Sequence, residues 1–329
     1  MAIELININS QEIRSFYEKK FYFSYSSLNK LLFSPRIFYK QYVLEQRDDT
    51  IAQHLIEGSL LHCLLLEPEK FNDNFIILPG SVPSGNNKQI VEEIFKLYEL
   101  RNDDSLKFED FEDDILQYLI SINLHQSLKT DEKRIEKVIT LDNKVYFDFL
   151  KKKGNKSVID NDTLEKVKES VEYFKADKVC MALLNLNSVN TKNELSLKYD
   201  LNNFDFGIKG IIDNINFDYE KKTVFINDLK TTSKPIQKFI ETVDYYRYDL
   251  QGAMYVKLIS SLPEYKDWKI KFTFIVIDNF NQIYPFQVSD KTMVKWQENL
   301  NKVLDVANYH YLNKEYGLPY DLANYNVIL

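Results

Sequence analysis

The clearest alternation of apolar and polar positions lies at residues 207–230, GIKGIIDNINFDYEKKTVFINDLK. Two β-rich runs flank the polar break Tyr219-Glu220-Lys221-Lys222, which predicts an antiparallel hairpin. A centre between Glu220 and Lys221 sets Phe217 opposite Val224, Ile215 opposite Ile226, Asp213 opposite Asp228 and Ile211 opposite Lys230. Period-two alternation then puts these side chains on one face. That face is apolar except for Asp213, Asp228 and Lys230, while Asn214, Asn216, Asp218, Thr223 and Asn227 share the other with Ile212, Phe225 and Leu229. Similar patterns predict strands at 194–201, 269–278 and 283–289, and a short one at 145–150.

Helical periodicity fills most of the rest. Residues 24–45 read as helix, break, helix, capped at Ser26 or Ser27 and restarted by Ser34-Pro35. A strongly apolar helix is predicted at 51–66, with His62 deep inside it and His54 at its polar start. Residues 79–90 are loop-like, and 88–101, 111–138 and 162–178 are helical, the last opened by a capping-box pair Asp162 and Glu165. Pro235 opens a helix to about Ser260, on which Gln251 and Tyr255, four apart, share a face. Gly252 is costly in a helix and marks close approach by another group. Asp290 caps a last helix to about Asn313. Without a repeat or a linker-like tract, the expectation is one domain over 1–329 with a helical excursion at about 80–140.

Composition narrows the classes. The chain of 329 residues is 44% hydrophobic and 28% charged, which fits a soluble globular protein and argues against disorder. A net charge of −7 argues against a surface that coats nucleic acid throughout, but leaves room for a local basic groove. Two cysteines, Cys63 and Cys180, are too few for a four-cysteine iron–sulfur cluster or a disulfide framework, which suits a reducing compartment. The start, MAIELININSQEIRSFYEKK, lacks the pattern of a signal peptide, and no apolar run is long enough to span a membrane. A cytoplasmic location is expected.

Charge on the apolar hairpin face is the chemical clue. Opposed carboxylates destabilise a sheet, and burying an unpaired charge is costly. A hard cation such as Mg²⁺ between Asp213 and Asp228 removes both objections, and Lys230 points the same way, towards a phosphate. Strand context carries this reading, since an acidic-x-Lys triplet alone recurs by chance and a one-residue slip would part the aspartates. Glu194 either adds an acidic group or merely starts its strand. Arg36, Lys40 and Arg247 are candidate phosphate contacts, as are the lysines of a basic loop at 151–156; on spacing alone a solvated face is the simpler account of Arg36 and Lys40. The acidic stretch from Asp103 to Asp114 belongs away from any DNA groove.

The order of these features resembles the PD-(D/E)XK nuclease superfamily, in particular its RecB-like branch and, within it, exodeoxyribonuclease VIII and the RecE-like phage and prophage exonucleases. The matching stretches are SSLNKLLFSPRIFYKQYV, EGSLLHCLLLEPEKF, GIKGIID, INDLKTT and YDLQGAMY. The resemblance implies an α/β fold with a restriction-endonuclease-like core: a mixed central sheet flanked by helices, a helical N-terminal region and a helical insertion. It implies that His62, Asp213 and Asp228 ligate Mg²⁺ or Mn²⁺ with help from the Leu229 carbonyl, that Lys230 activates the attacking water, and that Gln251 and Tyr255 orient DNA or the site itself. Ile212 stands at the family's proline, and Ile211 where relatives often carry a basic residue. The implied activity is 5′→3′ digestion of double-stranded DNA ends, supplying single strands to an annealing recombinase; related exonucleases form rings, so a homo-oligomer is also implied. The rivals are an endonuclease or single-strand nuclease of the same superfamily, and a non-cleaving DNA-binding scaffold.

Overall fold

A computed structural model describes residues 16–46 and 52–324. Strand β1 (Tyr22–Phe23) leads into helix α1 (Tyr25–Phe33), and α2 (Pro35–Phe38) continues as a π-helical turn over Tyr39–Val43. The cap of α1 is Ser24, not Ser26 or Ser27. The Ser24 hydroxyl accepts the Ser27 N–H at 3.2 Å while the Ser27 hydroxyl accepts the Ser24 N–H at 2.8 Å, a closed capping box. Pro35 occupies the first turn of α2, where its missing N–H costs nothing. The signal-peptide expectation and the start of the apolar helix at Ile51 fall outside the described residues.

The chain divides into two compact units, one of residues 1–52 with 170–329 and an inserted one of 53–169. The inserted unit contains α3 (Gln53–Leu66), β2 (Phe75–Ile77), α4 (Gly85–Arg101), α5 (Glu112–Ser121), α6 (Asp131–Glu136), α7 (Leu141–Lys153) and β3 (Ser157–Ile159); the boundary falls within α8 (Asn161–Ala176). Strands β2 and β3 pair in parallel, and Ile94, Phe108, Phe111, Ile115 and Phe147 fill the core of the helices. Several expectations are corrected here. Residues 145–150 lie inside α7, not in a strand: Tyr146, Phe147 and Phe149 are buried on a helical face. The lysines at 151–153 are its last turn, and Lys151 donates to the carbonyls of Asp104 and Leu106. The stretch 111–138 breaks between α5 and α6, and α4 begins inside the expected loop. Asp160, not Asp162, caps α8, accepting the Thr163 N–H at 2.7 Å.

In the other unit α9 (Lys178–Leu184) precedes β4 (Thr191–Asp200), β5 (Gly207–Asp218) and β6 (Thr223–Thr232); α10 (Phe239–Tyr246) and α11 (Tyr248–Ser260) lead to β7 (Lys269–Asp278), β8 (Ile283–Gln287) and α12 (Asp290–Asn313). The sheet runs β1-β5-β6-β7-β8, with β4 also paired to β5. It is mixed: β6–β7 and β1–β5 are parallel, the other pairs antiparallel. Residues of α11 and α12, among them Leu250, Met254, Leu300 and Leu304, share one core with Ile215, Ile226 and Phe272 of the sheet. Helix α9 is bound to the hairpin through side-chain amides described below. The single helix expected from Pro235 to Ser260 is two helices, because Arg247 adopts a left-handed conformation between them. Ser289, rather than Asp290, caps α12. Gly252 is indeed closely approached: a Cβ there would stand 3.1 Å from Trp296 and 3.2 Å from Phe272.

A candidate catalytic centre at the fork of the sheet

The predicted hairpin register holds near the turn, where Phe217 pairs with Val224 and Ile215 with Ile226. The ladder ends at Asn214 and Asn227. Beyond it the two strands part, since the start of β5 pairs with β1 at Gly207 and Ile208 while β6 stays paired with β7 as far as Thr232. Asp213 sits at this fork. Its carboxylate does not face Asp228 across a ladder rung but accepts the Leu229 backbone N–H at 2.7 Å.

Side-chain alternation also slips there. Ile208 and Ile212, then Ile215 and Phe217, all line the same core, which strict alternation along β5 forbids. On β4, Glu194 has φ +46°, left-handed for a non-glycine residue, while the β4–β5 register is the same on both sides of it. Glu194 and Asp213 therefore kink together, and their carboxylate oxygens lie within 4.8 Å of one another. The idea that Ile211, Asp213 and Ile215 share one apolar face is corrected accordingly: Ile211 is 51% exposed, whereas Asp213 and Asp228 are buried.

Lys230, two residues beyond Asp228 on β6, makes an ion pair with the Asp228 carboxylate. Its ammonium also lies over the Tyr248 ring, 4.8 Å from the centroid. Burial opposes the lysine charge, but Asp228 and Asp213 outweigh it and hold the pKa above the ordinary lysine value. On α11, the Gln251 side-chain amide donates to the Tyr255 hydroxyl at 2.9 Å. Burial, followed by the nearby Asp228, Asp213 and Glu194 carboxylates, pushes the Tyr255 phenol well above the usual tyrosine value. The side-chain oxygen of Gln251, Oε1, is buried without a hydrogen-bond partner among the described residues.

Gly210 explains how Tyr255 comes so close: a Cβ at that position would stand 2.8 Å from Tyr255 Cε1. Gly210 and Tyr248 were not singled out from sequence. Tyr248 had a legible signal, since with Gln251 and Tyr255 it continues one helical stripe; Gly210 had none. Among the expected site residues, Asp213, Asp228, Leu229, Lys230, Gln251 and Tyr255 stand together in this unit, with Glu194. His62 is half-buried on α3 of the inserted unit, and His54 is exposed at its start. Arg36, Lys40 and Arg247 are exposed.

Buried carboxylates with a lysine between strands of a mixed sheet make a hard, oxygen-rich donor set, suited to a small divalent cation and, with the lysine, to a phosphate ester. Comparison with known proteins agrees in class. The chain belongs to the PD-(D/E)XK nuclease superfamily, whose family model matches residues 22–315. Nucleases of this superfamily use divalent metals, and the superfamily implies DNA as the substrate. A search of the curated proteins finds no match. Among solved structures, a protein from Eubacterium rectale provisionally described as an exonuclease is similar at 15% identity and a TM-score of 0.47, covering 100% of this chain and 96% of that one. The protein SSO0001 is similar at 13% identity and a TM-score of 0.24, covering 76% and 86%. Among the described residues, no helix is long and apolar enough to cross a membrane.

Proposed function

We propose that this protein is a Mg²⁺- or Mn²⁺-dependent exodeoxyribonuclease of the RecE-like kind, digesting double-stranded DNA ends 5′→3′ and leaving single strands for an annealing recombinase. The observation that carries the nuclease reading is the convergence of Asp213, Asp228 and Lys230 at the fork, with Lys230 paired to Asp228 and Asp213 bonded to the Leu229 N–H. Polarity, recombination and a cytoplasmic, oligomeric enzyme are supported by the motif resemblance alone.

In this reading Asp213 and Asp228 hold the metal, joined by the Leu229 carbonyl and by His62, whose part rests on its motif. Glu194 is a further oxygen donor beside Asp213. The bound cation would supply Lewis acidity, lowering the pKa of water and stabilising charge on the attacking and leaving oxygens. Lys230, held as an ammonium, offsets charge developing on the phosphate and orients the nucleophile. Gln251 fixes the Tyr255 hydroxyl. The Leu229 backbone N–H holds the Asp213 carboxylate.

Linear duplex incubated with Mg²⁺ or with EDTA tests the reading, alongside a covalently closed circle and end-labelled duplex. Metal-dependent loss of the linear DNA, survival of the circle and early release of the 5′ label are expected. Digestion of the circle would make the protein an endonuclease. Binding without cleavage of any DNA would make it a scaffold.

A further inference from the structure

Two tyrosines are exposed side by side where α10 ends. Tyr245 is 76% exposed and Tyr246 47%, with ring centroids 4.9 Å apart in an edge-to-face arrangement. Soluble surfaces carry single exposed aromatics routinely; an adjacent exposed pair offers ring area on which a planar group can stack. This pair is continuous with the candidate catalytic centre. Tyr246 stacks on Tyr248 at 5.6 Å and 25°, and Tyr248 carries the Lys230 ammonium 4.8 Å from its ring centre. Three ring contacts therefore run from solvent to the lysine paired with Asp228.

The backbone under the pair is also tied down. The Tyr246 carbonyl accepts the Tyr25 hydroxyl at 2.5 Å and the Asn29 side-chain amide at 3.2 Å, both from α1, far away in sequence. Arg247, exposed and left-handed, follows at once and sets the break between α10 and α11. A fixed aromatic face with a wet hydroxyl edge and an adjoining guanidinium matches a nucleotide: a base for the ring, a phosphate for the arginine. Inside a duplex each base is covered on both faces, so an unpaired base at an opened end is the occupant this chemistry fits.

We propose that Tyr245 and Tyr246 form a stacking platform for an unpaired nucleobase of a frayed DNA end, with Arg247 on its phosphate, so that the strand is read by its bases before it reaches Lys230. The inference rests on the nuclease reading for its place in the reaction, but binding tests it separately.

The test uses the full chain and fluorescence anisotropy, with Ca²⁺ replacing Mg²⁺. One probe is a duplex with a short thymidine overhang; the other carries the same overhang without bases. The wild type is expected to bind the first about tenfold more tightly, a typical effect of base–aromatic stacking. The Tyr245→Ala, Tyr246→Ala double substitution is expected to erase the difference without changing the salt dependence of binding, and Tyr245→Trp to keep it. Arg247→Ala should instead shrink the salt slope by about one charge. Equal binding of both probes by the wild type, no binding of either, or a preference that survives the double substitution would overturn the proposal. The wild type needs no substitution for the first comparison, so misfolding cannot hide the answer. A protein that cuts linear duplex yet ignores the missing bases loses only the platform; one that shows the base preference and never cuts loses the nuclease reading.

Discussion

The two halves of the β5–β6 hairpin bury polar groups in opposite ways. On the paired side of the fork, Asn214, Asn216 and Asn227 form a neutral cluster. The Asn214 amide donates to the Leu184 carbonyl and the Asn193 side chain, and its oxygen accepts from Asn216 and Asn227. Asn216 and Asn227 each also donate to the Leu183 carbonyl at 2.9 Å. These bonds satisfy the last carbonyls of α9 and fasten that helix to the sheet. At the fork, buried carboxylates gather around one lysine, and the negative charge exceeds the positive. A cluster built only for stability would be neutral and satisfied, as the asparagines are. The fork instead keeps an excess of anionic oxygen where a cation and a phosphate are to enter, and accepts a left-handed Glu194 to do so.

The sharpest way to break this contrast is to remove charge from the fork. Lys230→Ala is expected to slow DNA cleavage by at least about a hundredfold, the scale of losing one preorganised electrostatic donor. Isothermal titration calorimetry should still record divalent-metal binding, because the oxygens remain. Turnover at the wild-type rate would refute the role of the fork.

The neutral half should respond in stability. Asn214→Ala removes four hydrogen bonds and strands their buried partners, so urea unfolding is expected to show a loss of about 3 kcal/mol. Cleavage per folded molecule should stay near wild type. If activity falls with unchanged stability, the two halves are not the separate devices described above.

Much of this division was legible in the residues, and the rest was not for physical reasons. The hairpin register near the turn follows from a period of two and a polar break, both local. The superfamily resemblance also holds, because five short motifs keep their order along the chain. The fork depends on β1, nearly two hundred residues earlier, pairing with Gly207 and Ile208; nothing within 207–230 announces it. The slip at Asp213 needs a left-handed glutamate, a conformation that residue type does not favour. VYFDFL fits a strand and a helical face equally well, and only the partners of Tyr146, Phe147 and Phe149 in the inserted unit decide. The expected caps of α1 and α8 are off by two or three residues for a similar reason: several serines or aspartates stand near each start, and the backbone chooses among them.

The subtlest test reaches the fork from its far side, through one atom. Gly210 lies on β5 beyond the fork, and its missing side chain is the space that the Tyr255 ring fills. In Gly210→Ala the new methyl would meet Cε1 of that ring at 2.8 Å, well inside contact distance, and backbone of the sheet cannot yield easily. The ring must then shift and pull on its bond from Gln251. Overpacking of this kind costs about 1–3 kcal/mol, measurable as a lower urea midpoint. The displacement should slow cleavage about tenfold, with little change in KM if Tyr255 shapes the carboxylates rather than holding DNA. Replacing the ring as well, in Gly210→Ala with Tyr255→Leu, should restore stability but not turnover. A double variant that regains both would show that Tyr255 only fills space, and would move the centre's support from α11 to the strands alone.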